Sequence, residues 1–161
     1  MSATTPHAIE VRPTLDAGYV THLFKCCGRG ILPDNLSEPG LFEFKQMVAS
    51  RSVVVLELMS RLQRRGVVVF KKIYGGVFEG HVLMERGSRG VYAVRGVKAA
   101  LAWMGKHLRA ELVLARIPAT LPQTIWIAAA CGFKYAGREV GVWFKHGERH
   151  DLLRYEFSFK R

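Results

Sequence analysis

Glu79 and His81 stand two residues apart in the run GVFEGHVLM, a spacing that puts both side chains on one face of a strand. A carboxylate beside an imidazole can move a proton. Either group can take one from an amine, directly or through water, leaving the nitrogen lone pair free to attack. Histidine suits this work because its ordinary pKa lies near neutrality. Glu85 falls on the same face farther along. The plainer alternative is a half-buried sheet histidine bonded to a neighbour and a carboxylate solvated or paired with lysine. Residue types alone leave both open.

The next residues offer a second chemistry. Arg86, Ser88, Arg89 and Gly90 form a basic, glycine-bearing turn between this strand and a long helical pattern. The first N–H groups of a helix lack partners and its dipole is positive there, so such a turn can hold a phosphate. An exposed polar turn is the alternative. The other reactive types point elsewhere. His146 and His150 flank a hairpin tip, and Glu111 and Glu139 are expected to pair with the abundant lysine and arginine. Cys26, Cys27 and Cys131 have no CxxC or Cys/His spacing, which excludes a zinc site by pattern and favours reduced thiols. Cys131 reads as a small buried apolar residue. No Ser/His/Asp triad, P-loop or metal-ligand set is present in the sequence.

The elements that must position these groups follow from periodicity. Residues 8–12 (AIEVR) alternate and stop at Pro13, a short strand. Thr14 is placed to cap a helix with Leu15, Tyr19, Val20, Leu23 and Phe24 inward, ending near Cys27 with Gly28 as its stop. Residues 30–40 are a loop by composition, and Leu41, Phe42, Phe44, Lys45 and Val48 mark a second short helix. Residues 52–58 (SVVVLEL) are β-branched and continuous, as in a strand buried on both faces. Residues 59–65 turn the chain, and residues 67–74 and Val77–Met84 are the next two strands. The helix spans about residues 89–107, with Val91, Val94, Val97, Ala100, Leu101, Trp103 and Met104 inward. A buried strand (110–117) is broken by Pro118. Thr120 caps a helix through Cys131, with Ile125, Trp126 and Ala129 inward and Gly132 as its end. Residues 133–144 and 151–159 close a hairpin around HGERH, with Leu153, Tyr155, Phe157 and Phe159 on one face. Trp103, Trp126 and Trp143 read as core. The order β-α-α-β-β-β-α-β-α-β-β predicts an α/β (α+β) single domain over residues 1–161, a mixed sheet with helices on both faces.

Bulk properties agree. A chain of 161 residues can bury roughly 70% of its unfolded surface, enough to fold without a staple. No apolar run approaches the ~20 residues of a membrane span. The opening MSATTPHAIEVRP has neither a basic n-region nor an apolar h-region, so a cytoplasmic protein is expected. The net charge of +11 favours polyanionic partners: nucleic acid, an acidic protein surface or a phosphorylated cofactor. The basic residues are dispersed, which points to diffuse attraction and not to base reading.

This element order, with several local strings, resembles the GNAT acetyltransferase superfamily. IEVRP resembles its opening strand, and GVFEGHVLMERGSRG its fourth strand running into the cofactor turn. IPATLPQTIWIAAACGF resembles the helix before its Gly-Phe corner, and GREVGVWFKHGERHDLLRYEF its closing hairpin. The resemblance spans nearly the whole chain and is nearest to divergent GNAT-like proteins of bacteriophages. It implies an acetyl-CoA-dependent N-acetyltransferase acting on an amine acceptor. Glu79 or His81 would be the base, strand amides near Val82, Leu83 and Met84 would face the acyl oxygen, and Arg86, Arg89, Gly90, Val91, Tyr92 and Ala93 would hold the pyrophosphate.

Two departures stand out. The family's turn reads R/Q-x-x-G-x-G/A, and from Arg89 this chain puts Tyr92 and Val94 where small residues belong; from Arg86 the match also fails. That bulk is expected to weaken the grip on the diphosphate, and if it filled the notch between the central strands the donor would have no room. In N-x-x-A-x-x-x-Y before Gly-Phe, Leu121, Thr124 and Ala128 replace the asparagine, alanine and tyrosine, and Tyr135 belongs to the next strand. The alternative expectation is therefore a non-catalytic phage protein of GNAT fold, in the virion interior or host cytoplasm, that contacts DNA or other virion proteins through its charge.

Overall fold

The computed structural model describes residues 8–28 and 32–160. The elements follow in the expected order: β1 (Glu10–Pro13), α1 (Ala17–Leu23), α2 (Leu41–Ala49), β2 (Val53–Ser60), β3 (Gln63–Tyr74), β4 (Val77–Met84), α3 (Val91–Leu108), β5 (Leu112–Pro118), α4 (Pro122–Ala130), β6 (Lys134–Lys145) and β7 (Glu148–Ser158). One sheet takes the strands in the order β1-β2-β3-β4-β5-β7-β6. Every pairing in it is antiparallel except β4 with β5.

Continuous apolar runs in β2 and β3 are needed because both sheet faces are covered. On one face Leu56, Leu58, Val68 and Phe70 pack under Ala93, Val97, Leu101 and Met104 of α3, with Ala128 of α4 beside them. On the other, Val55, Val67, Val69 and Leu83 pack under Val20 and Leu23 of α1 and Phe44 and Val48 of α2. Between α1 and the sheet lies Glu57, only 2% exposed. It meets Arg12 Nε at 2.9 Å and Arg64 Nε at 2.7 Å. Arg64 also reaches Asp16 at 2.8 Å and stacks 4.5 Å from the Tyr19 ring centroid. One buried carboxylate thus ties β1, β2, β3 and α1 together.

Local departures from expectation have physical reasons. β2 and β3 run into residues 59–65, because the chain reverses in two left-handed residues, Arg61 (φ 51) and Leu62 (φ 62). Neither is a residue type that advertises such a turn. The closing hairpin likewise turns at His146 and Gly147 alone, so Glu148 to His150 belong to β7. Asp16, not Thr14, caps α1, accepting from the Tyr19 amide at 2.9 Å. A π-helical turn, Phe24–Gly28, continues that helix to its expected stop. Leu121, not Thr120, precedes α4, which has Pro122 in its first turn. Leu15, Val91 and Trp126 are exposed (77%, 59% and 53%), as is Ala129, and none of them is inward. α4 is apolar nearly all round, so its composition could not say which side faces the sheet. The loop expected from Gly30 begins outside the described residues; residues 32–40 form its described part and contain no helix or strand. Among the described residues no helix is long and apolar enough to cross a membrane.

Leu58 has no exposed surface and sits against Gly96 of α3. Leu58→Ala is expected to lower the unfolding free energy by about 3 kcal/mol in urea titration. A loss below about 1 kcal/mol would show that α3 does not rest on this side chain.

Candidate active site

β4 and β5 pair over only three positions, Val77 with Leu112, Phe78 with Val113 and Glu79 with Leu114. Beyond Glu79 they part. β4 stays on β3 as far as Met84 opposite Gly66, while β5 stays on β7 as far as Pro118 opposite Leu152. The edges that face each other across the gap therefore carry backbone groups without a strand partner. Gly80 lies where the strands diverge; a Cβ there would crowd Val113 and Phe70 at 3.2 and 3.4 Å.

Two concavities adjoin in this notch, sharing Val82, Leu121, Thr124 and Ile127 in their walls. The wider, about 1110 Å³, opens beside the start of α3 and is walled by Leu83, Met84, Arg89, Gly90 and Ala93. Gly90 precedes the helix at φ 68, a conformation favouring glycine, and a Cβ there would meet nothing. The first helical bond runs from Val94 N–H to Gly90 O, at 3.1 Å. The amides of Val91, Tyr92 and Ala93 lie ahead of it, no side chain caps them, and no acidic residue occupies the first turn.

The narrower concavity, about 340 Å³, passes under the parted strands to Glu79, His81 and Arg116. Glu79 is 15% exposed; its Oε1 lies 3.4 Å from His81 Nε2 and 3.5 Å from Arg116 Nε. Arg116 also reaches Glu139 at 3.7 Å. His81 is 46% exposed at the rim. Loss of surrounding water holds its pKa below 6.5; Arg116 and Lys71 push the same way and Glu79 opposes them. Its resting form at neutral pH is thus the free base.

Most of the sequence-selected residues line one concavity or both. Glu79, His81 and Val82 line the narrow part, and Val82, Leu83, Met84, Arg89, Gly90 and Ala93 the wide part. Arg86, Val91 and Tyr92 stand outside both walls. The Arg86 guanidinium donates to Cys26 O at 3.4 Å. Tyr92 turns to β3, its ring centroid 5.1 Å from the Arg65 guanidinium carbon. Neither Tyr92 nor Val94 fills the notch, so their bulk does not close it. Ser88 is buried at 1%, not an exposed turn residue. Sequence reasoning missed Arg116, whose signal was a lone charge inside the apolar strand LVLARIP, and it missed the wall formed by Leu32, Pro33 and Leu36. Trp143 lines the narrow cavity, while Cys131 is buried and bonds through Sγ to Val94 O at 3.5 Å.

This architecture has close counterparts among solved structures. The spermidine N-acetyltransferase from Vibrio cholerae, solved in complex with CoA and spermine, superposes with a TM-score of 0.79 at 15% identity, covering 93% of this chain and 95% of that one. Mutant forms of the spermidine/spermine N-acetyltransferase SpeG from Vibrio cholerae give 0.77 at 14% identity, covering 93% of each chain. The fold is that of the GNAT acetyltransferases. No family model and no curated protein sequence matches the chain. Identity this low carries the fold alone, so the chemistry has to be argued from the residues in the notch.

His81 is expected to titrate below 6.5 in an NMR pH series. Glu79→Gln removes the charge that opposes the shift and should move it lower; Arg116→Ala should move it higher. The unfolded chain takes the proton at the higher pH. The stability held by neutral His81 is therefore complete above 6.5 and declines as pH falls toward the folded value. A titration at or above 6.5 would contradict this site geometry.

Proposed function

We propose that this chain binds acetyl-CoA in the notch between β4 and β5 and transfers its acetyl group to an amine. The observation that carries the reading is the open gap joining an uncapped, basic helix start to a carboxylate–imidazole pair. Bound acetyl-CoA supplies an acyl thioester open to attack by an amine.

The residues fit that group. Arg89 and the amides of Val91, Tyr92 and Ala93 suit a diphosphate, and the space before Gly90 admits close approach. The unpaired edge of β4 beyond Glu79 can bond an extended chain laid beside it, as an added strand would. Its amides near Val82 to Met84 can face a carbonyl oxygen on which charge develops. At the far end His81, neutral at pH 7, accepts a proton from the acceptor nitrogen directly or through water. Glu79 at 3.4 Å stabilises the imidazolium that results. Ala128 occupies the place of the family's tyrosine, and Thr124 is the hydroxyl common to both walls. The chain then works chiefly by positioning and proton removal.

The non-catalytic reading, with contacts to DNA or virion proteins, draws on the net charge of +11 and on the departures from the family's turn and tyrosine motifs. The open notch favours the enzyme. Calorimetry with acetyl-CoA is expected to give micromolar affinity, weakened about ten-fold by Arg89→Ala. No binding at high micromolar concentration would falsify the reading. Glu79→Gln and His81→Ala should each lower kcat by about a hundred-fold while leaving Tm unchanged. Equal losses of folding and turnover would make both residues structural.

A further inference from the structure

The acceptor end of the notch carries a chemical preference, an inference that rests on the acetyl-transfer reading above. Its walls are apolar. Leu32, Pro33 and Leu36 come from the loop that crosses the narrow concavity, Trp143 from β6 and Leu152 from β7. The loop is fastened in place. Asp34 N–H donates to Phe144 O at 2.9 Å, and the Asp34 carboxylate meets Lys145 Nζ and the His146 amide at 2.8 and 2.7 Å. Lys145 Nζ also donates to Leu32 O at 2.8 Å. The ion pair and the amide hold the Asp34 carboxyl below its usual range, as a fixed contact would.

The charge at this end is balanced already. Glu79 faces Arg116 and, across the ladder, Lys71; Glu139 faces Arg116. With His81 neutral, two carboxylates stand against two cations. A polyamine would bring two or more ammonium groups into an apolar space of about 340 Å³ where, among the described residues that line it, the one carboxylate, Glu79, is already paired. The whole chain, at +11, adds to the penalty. An amine with one basic nitrogen on an apolar body brings a single charge and an apolar remainder, so both penalties are smaller. Its nitrogen reaches Glu79 and His81, and its body displaces water from Leu36 and Trp143.

We infer that the acceptor is a small monoamine with an alkyl or aromatic body, and that polyamines, which the fold's neighbours from Vibrio cholerae act on, are poor acceptors here. In the transfer step the amine nitrogen bonds to the acyl carbon, the carbon–sulfur bond breaks, and CoA leaves with the electron pair. The nitrogen's proton passes to His81 and from there, through solvent, to the departing thiolate, so the products are one amide and one CoA thiol.

The test compares phenethylamine with spermidine as acceptors at saturating acetyl-CoA on the full chain. The expected result is a kcat/KM at least about ten-fold higher for phenethylamine, equivalent to 1.4 kcal/mol. Leu36 is 58% exposed, so Leu36→Glu leaves the core intact; it should raise spermidine use and lower phenethylamine use. Equal or better use of spermidine by the natural chain overturns the inference. If neither amine is acetylated, calorimetry with CoA decides whether the donor reading has failed. Calorimetry with each amine then decides the acceptor preference: tighter phenethylamine binding upholds it, and tighter spermidine binding, or binding of neither, overturns it.

Discussion

The molecule depends on two neighbouring strands being tied at one end only. β4 and β5 share three paired positions and then separate, because each has a stronger commitment on its other side. β4 is held by the ladder to β3 along nearly its whole length, and β5 by an unbroken ladder of seven positions to β7. A twisted sheet pulled from both flanks opens at its weakest seam, the short parallel pair. Once open, the seam leaves backbone amides that no strand satisfies, and these can be met by an extended ligand or by water.

Both halves of the sheet are made rigid by different means, which keeps the gap from closing. The β1–β4 half is packed on both faces, with α1 and α2 on one side and α3 on the other. The ion pairs of Glu57 with Arg12 and Arg64 add direction to that packing, since a carboxylate this buried must keep its partners in place. The β5–β7 half is braced by rings. Phe133 packs tilted on Phe157 and Phe157 meets Phe159 edge to face, with centroids 5.6 and 5.0 Å apart. Residues 32–36 then bridge toward this half through Asp34 and Lys145.

Electrostatics divide the notch by function. At the start of α3 the helix dipole, the uncapped amides and Arg89 all act in one sense, and their sum favours an anion. Some way along the same gap Glu79, His81 and Arg116 form a compensated cluster with an imidazole kept neutral by loss of water. One end attracts charge and the other tolerates little of it. On the acetyl-transfer reading proposed above, a single opening would receive a charged donor and a mostly apolar acceptor from opposite sides.

The alternation and length of the apolar runs determined the element order, because burial on one or both faces leaves a period that survives in one dimension. The same rule put Glu79 beside His81, since a strand's side chains alternate without help from the rest of the chain. Turn positions were less legible: Arg61 and Leu62 adopt left-handed backbone against their local preference because the β2–β3 ladder that flanks them demands a two-residue reversal. Leu32 and Trp143 entered the site only through tertiary contacts across many residues, and nothing local to them announces a shared cavity. Tyr92 is the clearest case. The letters placed bulk where a diphosphate would need room, but helical rotation sends that ring to Arg65 and leaves Ala93 facing the gap. Composition can say that a large residue is present; only the packed helix decides which way it points.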